Sequence, residues 1–136
     1  MPKLTMVQAL NFAMHQEMER DPSVIVMGED VGVNGGVFRA TDGLIDTYGE
    51  ARVIDTPLAE SAILGTALGM AINGLRPIAE IQFSGFSYLT LAQLEGNVAR
   101  MRTRSRGVFT APLVMRMPYG GGVRALEHHS ESKETY

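Results

Sequence analysis

At 136 residues the chain is long enough for one domain with a core of its own, and its 45% apolar share is ordinary for a globular protein. A net charge of -3 and the absence of cysteine argue against an electrostatic nucleic-acid binder or a polybasic membrane anchor, and exclude disulfides and thiolate chemistry. With no apolar run near the ~20 residues of a membrane span and no visible signal peptide, the expectation is a cytoplasmic protein without a membrane or nucleic-acid partner.

In chain order, Thr5-Met6-Val7-Gln8 has capping-box form, and Met6, Leu10, Ala13, Met14 and Met18 recur behind it at helical spacing. This predicts a helix ended by Asp21-Pro22, with His15 on its surface. Val24-Ile25-Val26-Met27 reads as a buried parallel strand, followed by a long Gly-rich loop from Gly28 to Gly36. A second helix is predicted from about Ala40 to Tyr48, closing at Gly49. Arg52 to Asp55 is a second strand. Pro57 stops it by fixing its own φ and pushing Thr56 toward extended geometry.

The helix predicted from Ser61 to about Asn73 is apolar on nearly every side, so it belongs inside a domain or between chains. Small residues Gly65, Ala67 and Gly69 let another backbone approach it closely. Pro77 to Ile81 is the next strand, Leu89 to Arg102 a helix, and Leu113 to Met117 a fourth strand. Gly120 to Arg124 is a second Gly-rich stretch, and Ser130 to Thr135 has the look of a helix start. Strands alternating with helices predict an α/β fold, a parallel sheet flanked by helices with right-handed crossovers. The final crossover is unfinished and a sheet edge is left open, so residues 1–136 read as a truncated domain.

Several groups carry chemistry. Glu60 falls in the first turn of a helix at the carboxyl end of a strand, where open α/β sheets place ligands. The same position also suits an acid that only complements the helix dipole. The Gly-rich loop matches neither G-x-G-x-x-G nor G-x-x-x-x-G-K-[ST], so it supports no dinucleotide or NTPase site. Glu29 and Asp30 lie at a strand's carboxyl end, either in an Asx-type turn or facing a ligand. His128 and His129 are neighbours expected to point to opposite faces, a poor joint metal site, although either suits a general acid or a substrate-carboxylate ligand. Arg100, Arg102, Arg104 and Arg106 form a basic run with no interleaved aromatics for base stacking. Phe83, Phe86 and Tyr88 suit core packing or a flat heteroaromatic ligand.

Taken together and in order, Gly28-Glu29-Asp30-Val31-Gly32, Gly35-Gly36-Val37-Phe38-Arg39, Asp55-Thr56-Pro57-Leu58-Ala59-Glu60, Gly74-Leu75-Arg76-Pro77-Ile78-Ala79-Glu80-Ile81-Gln82-Phe83 and His129-Ser130-Glu131-Ser132 carry a family likeness. The chain resembles the beta subunit of the thiamine-diphosphate-dependent 2-oxo acid dehydrogenases, of pyruvate or branched-chain type. The resemblance covers the N-terminal part of a pyrimidine-binding, transketolase-like domain and leaves out the family's C-terminal domain.

It implies that Glu60 hydrogen-bonds a ring nitrogen of the cofactor's aminopyrimidine, protonating it to favour the imino tautomer. A carboxyl with apolar walls shares a proton readily with a weakly basic ring. Phe86 resembles the aromatic residue packed on the pyrimidine, and Glu29 matches a loop acid near the cofactor that helps carry protons between active sites. His129 resembles the histidine that meets the substrate or the incoming lipoyl group, while Arg39, Leu58 and Gln82 are implied cofactor neighbours. The Gly-Asp-Gly motif that holds Mg²⁺ and diphosphate in this family does not occur here, so the resemblance assigns the metal to an alpha subunit in an alpha2-beta2 heterotetramer. The implied activity is oxidative decarboxylation of a 2-oxo acid with acyl transfer to a lipoyl acyltransferase. A non-catalytic assembly fragment and another transketolase-like enzyme are the alternatives.

Overall fold

The computed structural model describes residues 3–120 and 127–132. The capping box forms as the sequence predicts: the Thr5 hydroxyl accepts from the Gln8 N–H at 3.2 Å, and the Thr5 N–H donates to the Gln8 side chain at 2.9 Å. Helix α1 (Met6–Arg20) follows, capped by Asp21. Strand β1 (Val24–Gly28) is buried throughout. It pairs in parallel with β2 (Val53–Asp55) on one side and β3 (Arg76–Glu80) on the other, and β3 pairs with β4 (Val114–Arg116). The sheet order is β2-β1-β3-β4.

This order dictates the layers. The chain leaves β1 in one direction through α2 (Leu44–Tyr48), then returns past β1 to β3 through α3 (Glu60–Ile72). Right-handed crossovers made in opposite directions put their helices on opposite faces. The two cores reflect it. Met14, Met18, Val24, Val26, Val31, Leu44 and Val53 pack together on the α1/α2 face. Met27, Ile63, Ala67, Ala79 and Ile81 pack on the α3 face. Neighbours along β1, Val26 and Met27, thus serve opposite cores, as strand geometry requires.

Pro77 sits in β3 although that strand is internal. Pairing to β4 begins only at Ile78, so the missing N–H of Pro77 deprives no ladder bond there.

The sequence expectation fails in three elements. The second helix begins at Leu44, not Ala40, because the Asn11 side chain donates to the carbonyls of Ala40 and Asp42, at 3.0 Å each, and Gly43 adopts φ 74°. The single helix expected from Leu89 to Arg102 is broken. A 3₁₀ stretch (Ser84–Thr90) leads into one short turn, α4 (Leu91–Gln93), then a π-helical turn (Leu94–Val98) and α5 (Met101–Arg104). The π turn registers in the Ala99 N–H donating five residues back to Leu94 at 2.9 Å, with Gly96 inside it. Residues 130–132 are not helical, and the remainder of that expected helix start, like the Gly-rich stretch beyond Gly120, lies outside the described residues.

Candidate active site

The switch in chain direction between β1 and β3 opens the sheet's carboxyl edge there, where doubly wound sheets bind ligands. Gly28 pairs with both Asp55 and Glu80, so the segments that follow β1, β2 and β3 emerge side by side. A Cβ on Gly28 would lie 2.7 Å from the Glu80 carbonyl oxygen, which is why the strand ends on glycine.

Glu60 occupies the first position of α3 and is 5% exposed. It lines a groove of ≈ 620 Å³ with Ala59, Ser61, Ala62, Gly65, Thr66, Leu89 and Gln93. The small residues of α3 therefore floor an open groove here, and Ala62 and Thr66 are exposed. Within this chain α3 is buried on one face, and its other face is the one left for the expected contact between chains.

Glu29 is 8% exposed, and its Oε1 is buried without a hydrogen-bond partner among the described residues. Burial pushes its carboxyl above the ordinary value, and the charges of Glu60 and then Asp30 push it the same way. Thr56 Oγ1 is also buried without a partner among the described residues. Glu80, by contrast, is ion-paired with Arg116; its own burial pushes it upward against that pull.

The aromatic residues gather at the same edge. Phe83 and Phe86 meet edge-on with ring centroids 5.9 Å apart, and Phe38 joins Phe83 at 5.8 Å. His129 sits 4.8 Å from Phe83 and 5.4 Å from Phe86. His128 packs on Phe86 at 5.0 Å, so the two histidines do not point to opposite faces. The reason is backbone conformation: His128 takes φ 73°, which turns both rings to the same side. Glycine at 85 permits this packing, since a Cβ there would fall on the His128 carbonyl oxygen. Tyr88 is 44% exposed.

The other residues singled out from the sequence have the following surroundings. Leu58 is 78% exposed. Arg39, also exposed, donates to the Asn34 side chain at 3.0 Å. Gln82 donates to the Asp30 carboxylate at 3.1 Å, so its visible role is to tether the loop. His15 is half-buried against Tyr48 rather than free on the surface. Arg100 pairs with Glu95, and Arg104 donates to Asn97 at 3.3 Å, which uses part of the basic run locally. Among the described residues no group of three or more His, Asp and Glu is placed to hold a metal.

The model of one family, described as transketolase, pyrimidine binding domain, matches residues 2–136. The chain belongs to the transketolase pyrimidine-binding domain family. Within it, the chain is 61% identical to the pyruvate dehydrogenase E1 component subunit beta of Acholeplasma laidlawii over 131 residues, which is 96% of this chain and 40% of that protein. Identity is 54% to the protein of the same name in Bacillus subtilis, covering 98% of this chain and 41% of the relative. It is also 54% to the 3-methyl-2-oxobutanoate dehydrogenase subunit beta of Mycobacterium tuberculosis, covering 98% and 38%. The chain thus spans about two fifths of the length of these curated relatives. As a pyrimidine-binding domain it has the sheet order and helix placement described above. Asp55 is the site neighbour whose role sequence reasoning passed over; its only signal was its place as the first residue of the Asp55–Glu60 motif.

Proposed function

We propose that this chain supplies the pyrimidine-holding half of a thiamine diphosphate site in the beta subunit of a 2-oxo acid dehydrogenase. The observation that carries the reading is Glu60, buried at the start of α3 and facing a groove, its charge felt by a second buried acid, Glu29. The relatives' names, divided between pyruvate and 3-methyl-2-oxobutanoate, support a 2-oxo acid as substrate and leave its side chain open.

The residues present fit the cofactor's aminopyrimidine. Glu60 would meet a ring with donors and acceptors, and the buried oxygens of Glu29 and Thr56, unpartnered among the described residues, offer further hydrogen-bonding capacity. When bound, the cofactor would supply an electron sink for decarboxylation of the 2-oxo acid. Glu60, itself 5% exposed at the start of α3, would hold a proton between its carboxyl oxygen and a ring nitrogen. Phe86 offers the ring an apolar face, fixed by Phe83 and by the core against which it packs. His129, held against both phenylalanines, is the chain's candidate general acid or substrate-carboxylate ligand. The Mg²⁺ and diphosphate fall to the alpha subunit in this reading, and the acyl product passes to a lipoyl group of the acyltransferase component.

Reconstitution tests it. The full-length subunit mixed with its alpha partner should decarboxylate pyruvate or a branched-chain 2-oxo acid only when thiamine diphosphate is added. A mixture that assembles yet stays inert with both substrates would instead support a non-catalytic assembly role.

A further inference from the structure

We propose that Asp55 is a positioning residue for this site: its carboxylate latches the Gly28–Gly36 loop to the end of β2 and so holds the Glu29 side chain beside Glu60. The inference rests on the reading of Glu29 and Glu60 as site acids. Asp55 Oδ1 accepts the Gly32 N–H at 2.6 Å, and Oδ2 accepts the Val33 N–H at 3.3 Å. One carboxylate therefore binds two successive loop amides from a strand end. A charge-assisted bond to a backbone N–H is roughly twice as strong as a neutral one.

The loop transmits this hold. Its own bonds, Gly35 N–H to Gly32 O at 3.0 Å and Gly36 N–H to Asp30 O at 2.7 Å, tie Gly32 to the residue after Glu29. The Thr56 N–H, next to Asp55, donates to Gly28 O at 2.9 Å on the other side of Glu29. Gln82 closes the opposite flank through Asp30. Glu29 is thus bracketed between a β2 latch and a β3 tether.

Gly32 has no left-handed φ, so its identity is not dictated by backbone conformation. A Cβ there would lie 2.6 Å from Asp55 Oδ2, 2.9 Å from its Cγ and 3.0 Å from Ile45 Cδ1. Glycine at 32 is needed for the carboxylate to come this close. Two residues far apart in sequence are matched to one contact, which is what a latch requires.

The test uses the full-length subunit assembled with its alpha partner. Asp55→Ala should lower kcat per assembled, cofactor-loaded site by about ten- to a hundredfold, as a small misplacement of a reacting group does. Asp55→Asn should recover most of that loss, because an amide oxygen still accepts from Gly32. Gly32→Ala should mimic Asp55→Ala, and the double variant should be no worse than either, since the added methyl enters the space the carboxylate left. Asp55→Ala combined with Glu29→Gln should likewise match Glu29→Gln alone. Backbone amide exchange in residues 28–36 should quicken in Asp55→Ala. Unchanged exchange in the loop, or losses at Asp55 and Glu29 that simply add, would overturn the latch. Glu60→Gln separates the two ideas: an inactive Glu60→Gln beside a fully active Asp55→Ala removes the latch and leaves the proposed function standing. A fully active Glu60→Gln removes the proposed function, and loop exchange then still decides whether Asp55 latches the loop.

Discussion

Burial, the Glu60 charge and the Asp30 charge all raise the proton affinity of Glu29 in the folded protein above that of the unfolded chain. A native state that binds a proton more tightly is favoured at low pH. The contribution of Glu29 to stability is therefore full below its ordinary value of 4.5 and is lost as pH rises through the elevated native one. Replacing Glu29 with Gln removes that dependence. Melting curves of the assembled protein from about pH 4 to pH 8 should show Glu29→Gln gaining on the parent as pH rises. Parallel curves would mean that Glu29 titrates as an ordinary surface acid. The same crowding that makes Glu29 costly to ionise gives the site an acid that is ready to hold a proton, which ties this stability effect to the proposed chemistry.

Among the elements, α1 is fastened to the sheet by one side chain. Arg52, just before β2, donates to the carbonyls of Met18 at 2.9 Å, Asp21 at 3.0 Å and Val24 at 2.8 Å, and its guanidinium lies 5.1 Å from the Tyr48 ring. It satisfies carbonyls that the end of a helix leaves open. Arg52→Ala should lower stability by about 2–3 kcal/mol, and Arg52→Lys should restore only part, because an ammonium lacks the planar fork. A thermal or denaturant midpoint unchanged in Arg52→Ala would contradict this. None of it was readable from the sequence, where Arg52 was only the first residue of the predicted Arg52–Asp55 strand. What could be read were features with a local cause. The capping box, Asp21-Pro22, Gly49 and Gly74 each act on their own neighbours, and α1, the four strands and α3 fall within a residue or two of expectation. The failures came from distant partners. Asn11 takes carbonyls that helix α2 needed for an earlier start, and the expected Leu89–Arg102 helix yields to a π turn around Gly96. At the site, Glu29, Glu60 and His129 were singled out by their place in ordered motifs, and Phe86 by the aromatic cluster it shares with Phe83 and Tyr88. Asp55's grip on Gly32 spans 23 residues and has no periodicity to betray it.

At the scale of the molecule, many apolar side chains have no cover on this chain. Leu4, Met6, Val7, Leu10 and Phe12 are exposed on or beside α1, as are Leu89 and Leu91 near the Glu60 groove. A further groove of ≈ 620 Å³ between α1 and the end of β4 is walled by Leu10, Phe38, Phe83, Met115 and Met117. Together with the β4 edge, these surfaces favour association. The 136-residue chain expressed alone should therefore self-associate, with a light-scattering mass above that of a monomer; a monodisperse monomer of 14.8 kDa would contradict the prediction. The Glu60 groove, floored by small residues of α3, is where the account expects cofactor and partner subunit to meet. The most direct test is the rate of proton-for-deuterium exchange at the reactive thiazolium carbon of bound thiamine diphosphate, measured in the assembled enzyme with Glu60→Gln. The account predicts intact assembly and an exchange rate lowered by about 10²–10⁴-fold. An exchange rate equal to that of the parent enzyme would contradict it.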